Sequence, residues 1–281
     1  MTGESWNQNL SLSEEGFWIS PRVSQVSYPE EGNEDYFQIE EKSFWFQHRN
    51  QCLGKVMEKF PPGGLLFDVG GGNGFVSKGL EEMGYSTVLV EPGLKGCRNA
   101  RKRGLPRVVC SAFQDAEFPD HSLAAIGLFD VVEHIEDDRS FLEAVKAKLE
   151  KNGRIFLTVP AYSWLWSQED GRAGHYRRYR LGQICGLLEK SGLRVEYASY
   201  FFSFLLPPLF LARSLPFRLG IHLNWNFEKE KTKHAAAGKL SGWFLEKCRR
   251  WEMDRIGAGN IAFGTSCLVV AKLADGPPEA P

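Results

Sequence analysis

The ten residues that decide the fold are LLFDVGGGNG, at positions 65–74. The apolar run over 65–69 predicts a short buried strand, and the pattern from Phe75 to Met83 predicts the helix that follows it. Glycines between the two elements permit positive φ angles and let a ligand approach the backbone closely. Because open parallel sheets bind nucleotides at the carboxyl ends of their strands, residues 70–74 are a candidate nucleotide-binding loop.

The same alternation of strand and helix continues outward from this loop. Strands alternating with helices indicate an α/β fold, with a mainly parallel sheet covered on both faces. The apolar runs predict seven strands, at 65–69, 87–91, 107–110, 124–129, 154–159, 193–200 and 262–273. Helices are predicted at 75–83, 94–103, 140–150 and 181–191, and the third of them is expected to end at Asn152-Gly153.

Composition limits the class of protein. The 281 residues include 43% hydrophobic and 25% charged residues, which is typical of a globular chain. The net charge of −1 argues against general attraction to nucleic acid, so no DNA partner is expected. Six widely spaced cysteines without a C-x-x-C pair indicate reduced thiols. The first 35 residues are acidic and lack the apolar core of a signal peptide, so we expect a cytoplasmic protein.

An acidic residue ends the second predicted strand. Glu91 follows Gly74 by 17 residues, where a carboxylate can accept hydrogen bonds from both hydroxyls of a ribose. The dinucleotide fingerprint G-x-G-x-x-G fails in both registers, because its third glycine would fall on Phe75 or Ser77. The P-loop pattern fails as well, since no Gly-Lys-Ser/Thr follows. An NAD-linked oxidoreductase is therefore disfavoured.

The pattern acid-x-Gly-x-Gly-x-Gly at 68–74 resembles the S-adenosylmethionine loop of class I methyltransferases. The resemblance covers about residues 36–201 and 260–273, and it is closest to the bacterial branch that includes quinone-biosynthesis enzymes. Further matching stretches lie at 88–92, 114–119 and 129–137. The resemblance implies a Rossmann-like, doubly wound sheet of seven strands with the last strand antiparallel. It also implies S-adenosylmethionine as cofactor and S-adenosylhomocysteine as product.

The resemblance further implies the residues that hold the cofactor. The aspartate and the glycines of the loop would lie against its methionine part, Glu91 would hold the ribose, and the residues after the third strand would flank the adenine. Many relatives carry an aspartate where Ala112 aligns, so either backbone groups replace that contact or the register differs. The expected cofactor-binding residues are Asp68, Gly70, Gly71, Gly72, Gly74, Glu91, Ser111, Ala112, Phe113 and Phe129.

Four side chains are candidates for work on the methyl acceptor. Methyl transfer is an in-line displacement at a sulfonium, and it needs a base only if the nucleophile must lose a proton. Asp130, Glu133 and His134 lie just past the fourth strand, and His175 follows later; these four are the expected catalytic residues. In similar quinone-precursor and small-RNA methyltransferases, a carboxylate-x-x-Glu-His pattern binds a divalent metal. That alternative is less favoured because Asp130 is shorter than the usual glutamate, and no metal ligand is assigned; a third alternative is that Glu133 and His134 only orient the loop.

Two further segments border the predicted site. Residues 161–180 follow the fifth strand and would roof the acceptor side with aromatic side chains. Their arginines, Arg172, Arg177, Arg178 and Arg180, either pair with a phosphate or carboxylate of the acceptor or bind Glu169 and Asp170. Phe44-Trp45-Phe46 would close over the cofactor with Arg49 near its carboxylate, unless this helix only packs on the core.

An insertion of about sixty residues precedes the last strand. Its uncharged stretch, 197–212, is shorter than the about 20 residues that a membrane-spanning helix needs. One interpretation is an apolar lid or membrane-surface foot at 200–220 that receives a lipid-like acceptor, with a basic run at 229–234 and a second helix at 242–255. The other is a helical hairpin on the sheet edge or a dimer interface. The expected divisions are a loosely ordered polar arm (1–35), a helical cap (36–60), the methyltransferase core (61–201), the apolar and basic helical insertion (202–259), the last strand (260–273) and a disordered tail (274–281).

The sequence therefore predicts an S-adenosylmethionine-dependent methyltransferase. It would act on an oxygen, nitrogen or carbon nucleophile of a small-molecule or lipid-like acceptor. The alternative is a non-catalytic S-adenosylmethionine-binding regulatory or structural subunit. The sequence leaves the oligomeric state open, and membrane association through 200–220 is the alternative to a purely cytoplasmic protein.

Overall fold

The computed structural model describes residues 6, 8–22, 37, 39–221 and 239–274. The basic run at 229–234 and nearly all of the expected tail lie outside this part of the chain. The strands are β1 Ser11–Leu12, β2 Trp18–Ile19, β3 Leu66–Val69, β4 Thr87–Glu91, β5 Val108–Cys110, β6 Leu123–Phe129, β7 Leu149–Pro160, β8 Leu193–Phe201 and β9 Ser266–Leu273. The helices are α1 Phe44–Lys59, α2 Phe75–Glu82, α3 Leu94–Lys102, α4 Asp138–Lys148, α5 Gln168–Ala173, α6 Leu181–Lys190, α7 Leu206–Leu209, α8 Leu215–Arg218 and α9 Lys239–Ala258.

The strands form one sheet in the order β1-β2-β5-β4-β3-β6-β7-β9-β8. Strands β5, β4, β3, β6 and β7 are parallel, whereas β9 runs antiparallel to both β7 and β8. The predicted α/β fold with an antiparallel last strand is confirmed. After β3 the chain builds outward to β4 and β5, and it then returns to place β6 on the other side of β3. Ligands of such sheets bind at the carboxyl ends of the strands beside this switch point.

Helices cover both faces of the sheet, and the sequence of β3 reflects this. Both β3 and β4 are buried at every position, as expected for strands covered on both faces. Successive residues of β3 enter opposite cores: Leu66 packs with α1 residues such as Leu53, whereas Phe67 packs with Phe118 on the other face. This packing on both faces fixes the position at which β3 ends and the glycine loop begins.

Part of the expected polar arm is ordered, which corrects the prediction for residues 11–19. Strands β1 and β2 form a hairpin, and Trp18 pairs in parallel with Val109 of β5. Buried Trp6 packs edge-on to Phe67 at 5.7 Å between ring centroids, and Phe17 is buried as well. Over the residues that the structure describes, the sheet therefore has nine strands rather than the seven predicted. Two-residue strands are too short to show a hydrophobic period in the sequence. The prediction of a loosely ordered arm therefore rested on the acidic composition alone.

The boundary between α4 and β7 also differs from the sequence expectation. Helix α4 ends at Lys148, and β7 runs from Leu149 through Asn152-Gly153 instead of beginning after them. The register between β6 and β7 shifts here, from Leu123 opposite Leu149 to Ala125 opposite Arg154. Residues 150–153, which contain the predicted turn, therefore lie in a register shift within β7 instead of ending the helix.

The insertion is helical in its described parts. A helical stretch covers Ser203–Leu205, α7, a π-helical turn at Phe210–Ser214 and α8. Helix α9 is longer at both ends than the sequence predicted and packs on α1. None of the helices in the described ranges is long and apolar enough to cross a membrane.

Candidate cofactor and acceptor site

The glycine loop leaves β3 in a conformation that requires glycine. Gly70, Gly72 and Gly74 have φ angles of 67°, 55° and 74°. Gly71 has a different constraint, since an added Cβ would lie 2.2 Å from Leu89 Cδ1. The backbone N–H of Gly70 donates to Val90 O at 2.7 Å, which ties the loop to the end of β4.

Glu91 ends β4 and binds the same loop. Its Oε2 accepts a hydrogen bond from Gly72 N at 2.9 Å, and its Oε1 accepts one from Gly93 N at 2.8 Å. The side chain is buried, with 6% of its residue surface exposed. Because each carboxylate oxygen accepts more than one hydrogen bond, Glu91 retains capacity for ligand hydroxyls.

Asp68 is a fully buried carboxylate beneath the loop. Its Oδ2 accepts from Ser77 Oγ at 2.7 Å, whereas its Oδ1 has no hydrogen-bond partner among the described residues. Burial raises the pKa of Asp68 to about 6, although the Ser77 hydrogen bond and the charge of Arg49 act in the opposite direction. Buried polar atoms in proteins are nearly always paired, so a cationic donor from a ligand fits Oδ1.

A buried polar network attaches the cap to the glycine loop, and sequence reasoning missed it. The carboxylate of Glu40 lies 2.9 Å from Arg103 Nη2 and 3.4 Å from the side-chain nitrogen of Asn73, which is part of the loop. Asn99 in turn donates to Asn73 Oδ1 at 3.0 Å. These residues come from separate segments that share no motif, so no signal in the sequence joins them.

The residues expected beside the adenine follow β5 directly. Ser111 is buried, and its hydroxyl donates to Ala112 O at 2.8 Å. Phe113 is buried against Phe118, with ring centroids 5.6 Å apart. The side chain of Phe113 therefore belongs to the core. In this segment, the backbone and Ala112 remain as candidates for contact with a ligand.

Arg49 of α1 pairs with Asp130 at the end of β6. Its Nη1 lies 2.7 Å from Asp130 Oδ2, and its guanidinium lies 4.8 Å from the centroid of the Trp45 ring. Thr158 of β7 donates to Asp130 Oδ1 at 3.2 Å. Asp130 adopts a φ angle of 60°, the left-handed region, so this turn is held by tertiary contacts.

Glu133, His134 and His175 form a compact group beyond β6. One ligand-type atom of each lies within 4.8 Å of the others, and the two imidazole centroids are 4.7 Å apart. Burial raises the pKa of Glu133 well above its usual range, and the charge of Asp130 adds to this effect. Burial also lowers the pKa of His134 to about 4, assisted by His175. The imidazole of His134 is therefore neutral at pH 7.

Asp170 fixes the orientation of His175, a role that the sequence analysis did not assign. The buried carboxylate accepts from His175 Nδ1 at 2.9 Å and from Arg178 Nε at 2.6 Å, and Ser167 N donates at 2.8 Å. Burial opposes ionisation, but the hydrogen bond from His175 and the charge of Arg178 outweigh it and lower the pKa of Asp170 to about 2. An ionised carboxylate only accepts, so Nδ1 of His175 must carry the proton. The spacing Asp-x4-His-x2-Arg was the available signal.

Two of the roof arginines are thus already paired with protein groups. Arg178 binds Asp170, as one of the two interpretations expected, and Arg177 binds Asp138 Oδ2 at 2.7 Å and Glu136 O at 2.6 Å. These contacts hold the roof segment to the turn that follows β6.

Comparison with known proteins identifies the family. A family model described as a methyltransferase domain matches residues 37–198, more than half of the chain. The chain belongs to the class I S-adenosylmethionine-dependent methyltransferase family. The ubiquinone biosynthesis O-methyltransferase of Colwellia psychrerythraea is 26% identical over an alignment of 153 positions, which covers 48% of this chain and 62% of that protein.

Solved structures agree on the fold of this methyltransferase-family chain. Haemonchus contortus phosphoethanolamine N-methyltransferase 2 in complex with S-adenosyl-L-methionine aligns with a TM-score of 0.53 at 19% identity, over 91% of this chain and 61% of that one. A putative sarcosine dimethylglycine methyltransferase from Galdieria sulphuraria aligns with a TM-score of 0.51 at 15% identity, over 83% of this chain and 86% of that one. The chain spans less than two thirds of the length of the Colwellia and Haemonchus proteins.

In this family member, the structure brings most of the predicted residues to one edge of the sheet. The loop glycines, Asp68 and Glu91 meet at the ends of β3 and β4. Three of the four expected catalytic residues form one group, whereas Asp130 is engaged with Arg49 instead.

Proposed function

We propose that this chain transfers a methyl group from S-adenosylmethionine to an oxygen, nitrogen or carbon nucleophile of a small-molecule or lipid-like acceptor. The observation that carries the proposal is the junction of β3 and β4. There, Glu91 accepts from the N–H of Gly72 in a loop that requires glycine, and a buried oxygen of Asp68 lies beneath that loop without a partner in the described chain. This arrangement suits a nucleoside that carries a positively charged amine.

On this proposal, each of these groups has a distinct role. Asp68 Oδ1 accepts from the ammonium group of the methionine part, and Glu91 accepts from the ribose hydroxyls. The bound cofactor supplies an activated methyl group on a sulfonium. Ala112 and the backbone after β5 flank the adenine, and Phe129 borders the methyl-donor pocket.

His175 is the residue we assign as general base where the acceptor must lose a proton. Nδ1–H of His175 donates a hydrogen bond to Asp170, so Nε2 carries the lone pair that takes a proton from the acceptor. Asp170 also stabilises the imidazolium that results. The Colwellia relative is an O-methyltransferase, which makes hydroxylated acceptors the first to screen.

A divalent metal is the second candidate for the same three side chains. The closeness of Glu133, His134 and His175 supports it, since nitrogen and carboxylate ligands suit zinc, manganese or iron. The contact from Asp170 to His175 is the kind of carboxylate–histidine contact that orients a ligating imidazole. A metal there would grip acceptor oxygens, and His175 would then not act as base.

The first test is calorimetric titration with S-adenosylhomocysteine, with NAD as the control ligand. Glu91→Ala is expected to weaken binding at least about tenfold, because it removes the acceptor for two hydroxyls. Glu143→Ala is the matched control, since Glu143 pairs only with exposed Arg139 among the described residues. Equal binding by wild type and Glu91→Ala would contradict the cofactor assignment.

The second test separates base, metal and non-catalytic binder. Formation of S-adenosylhomocysteine is followed with a panel of acceptors, with and without chelator and added zinc or manganese. If His175 acts as a base, turnover resists chelator, and the His175→Gln variant turns over more slowly and without the pH dependence of wild type. If a metal binds there, chelator abolishes turnover and added metal restores it. Cofactor binding without turnover on any acceptor would support the regulatory alternative instead.

A further inference from the structure

The helical stretch over 203–221 is fastened to the roof of the site by its inner face. The buried hydroxyl of Ser214 donates to Leu165 O at 2.8 Å. The ring of Phe210 meets that of Trp164 with centroids 5.5 Å apart. Both Trp164 and Leu165 belong to the segment that follows β7.

The outer face of the same stretch is apolar and exposed. Pro207, Pro208 and Leu211 recur at helical spacing, and all three are exposed. Leu211 exposes 61% of its surface, and Leu219 and Ile221, which follow the end of α8, expose 67% and 53%. The outer face of a helix in a water-soluble protein is normally polar, so an apolar outer face indicates a surface that contacts something apolar.

Charge at this surface is positive. Between 203 and 221 the charged residues are Arg213, which pairs with Glu169, and Arg218, which is exposed. No acidic residue occurs in the stretch. Leucines and isoleucine beside an exposed arginine are typical of helices that lie in the headgroup region of an anionic bilayer.

The second insertion helix carries a matching feature. Trp243, Lys247 and Trp251 recur every four residues on α9, and the two tryptophans expose 60% and 50% of their surfaces. The Lys247 ammonium lies 4.0 Å from the centroid of the Trp243 ring. Exposed tryptophans with basic neighbours are enriched at membrane–water interfaces.

A series of stacked rings connects the exposed stretch to the acceptor side. Tyr200 stacks on Tyr162 at 5.1 Å, and Tyr162 stacks on Trp164 at 5.3 Å, which reaches Phe210 of the stretch. These ring contacts hold the exposed stretch against the roof segment and the end of β8.

We propose that residues 203–221 bind the surface of an anionic membrane and that the acceptor is a lipid whose headgroup enters the site from there. The statement about the acceptor rests on the proposed methyltransferase function, whereas the statement about the surface does not. The stretch lies on the bilayer with Leu211, Leu219 and Ile221 at the boundary between the headgroups and the acyl chains. Arg218 contacts lipid phosphate.

The test is co-sedimentation of the full chain with vesicles. Wild type is expected to bind mixed phosphatidylcholine–phosphatidylglycerol vesicles, and to bind pure phosphatidylcholine vesicles at least tenfold more weakly. The double variant Leu211→Glu/Leu219→Glu is expected to lose binding to both. Leu12→Glu, at a residue 59% exposed in the β1–β2 hairpin, is the matched control and should bind as wild type does. Arg218→Glu should weaken binding only to the anionic vesicles.

Three results would overturn the proposal. Wild type that binds S-adenosylhomocysteine but sediments with neither vesicle has no membrane surface here. Unchanged vesicle binding by the double variant would place the contact elsewhere. Light scattering that shows a wild-type dimer and a monomeric double variant would assign the surface to a second copy of the chain. Vesicle binding without any S-adenosylhomocysteine binding would instead support the membrane surface and contradict the proposed function.

Discussion

Replacing Glu252 should loosen the insertion from the rest of the protein more than any exposed change on α9. This carboxylate is fully buried and accepts four hydrogen bonds. The donors are His48 Nε2 at 2.6 Å from α1, and Phe202 N, Ser203 N and Ser203 Oγ, each at 2.8 Å, from the start of the insertion. Burial opposes ionisation, but the hydrogen bonds from His48 and Ser203 keep the pKa of Glu252 below its ordinary value.

The magnitude follows from the donors that would be left without an acceptor. Removing one partner of a buried, hydrogen-bonded charged group costs about 3–5 kcal/mol. With a urea dependence of about 3 kcal/mol per molar, Glu252→Ala should lower the unfolding midpoint by about 1–2 M. Asp254→Ala, two residues away and exposed, is the control, and its midpoint should stay within about 0.2 M of wild type.

Urea unfolding at pH 7, followed by tryptophan fluorescence, measures the midpoints of wild type and the variants. The unfolding midpoint of Glu252→Gln should lie between those of wild type and Glu252→Ala. Its amide keeps one acceptor oxygen but turns an NH₂ group toward backbone donors. If Glu252→Ala and Asp254→Ala unfold at the same urea concentration, the four hydrogen bonds to Glu252 do not stabilise the protein.

Three further outcomes are expected. Because burial raises the pKa of Asp68 to about 6 and a bound ammonium would favour its ionised form, affinity for S-adenosylhomocysteine should be nearly full at about pH 7 and about tenfold lower at about pH 5; calorimetry at these two pH values checks this, and Asp68→Asn should abolish the dependence. Gly71→Ala should weaken the same binding more than tenfold, since its Cβ would lie 2.2 Å from Leu89 Cδ1, whereas Gly182→Ala, with nothing within 4 Å, should bind normally. Asp137→Ala should cost about 1 kcal/mol in urea unfolding because Asp137 caps α4 by accepting from Ser140 N at 3.0 Å; an unchanged midpoint would deny the cap a role.

The sequence predicted the sheet and the glycine loop because their signals are local. Strand β4 was predicted with its observed bounds, since a buried strand reads as a continuous apolar run that ends in Glu91. The loop was identified because its glycines are adjacent in the chain. The start of β7 was missed because pairing with β6 decides it, and pairing between distant segments leaves no local pattern.

The acceptor side was less accessible to sequence reasoning. Asp170 looked like a surface residue of a charged loop, but folding buries it between His175 and Arg178. The link from Glu40 to Asn73 joins segments 33 residues apart. Asn73 stands at a position of the glycine motif that accepts any residue, and Glu40 belongs to no motif, so the pair leaves no pattern in the sequence. Burial of polar groups depends on which segments meet, and composition does not encode that.

The position of β9 has a consequence for how the protein is made. Strand β9, residues 266–273, lies between β7 and β8. During synthesis, β8 therefore leaves the ribosome before β9, the strand that it pairs with. Until then β7 has an open edge, and β8, at the rim of the sheet, has no strand to join it to the rest. Ribosome-bound chains that stop short of residue 266 should therefore fold the part built on β3 to β6 while leaving β8 undocked. An undocked segment is accessible to proteases and chaperones.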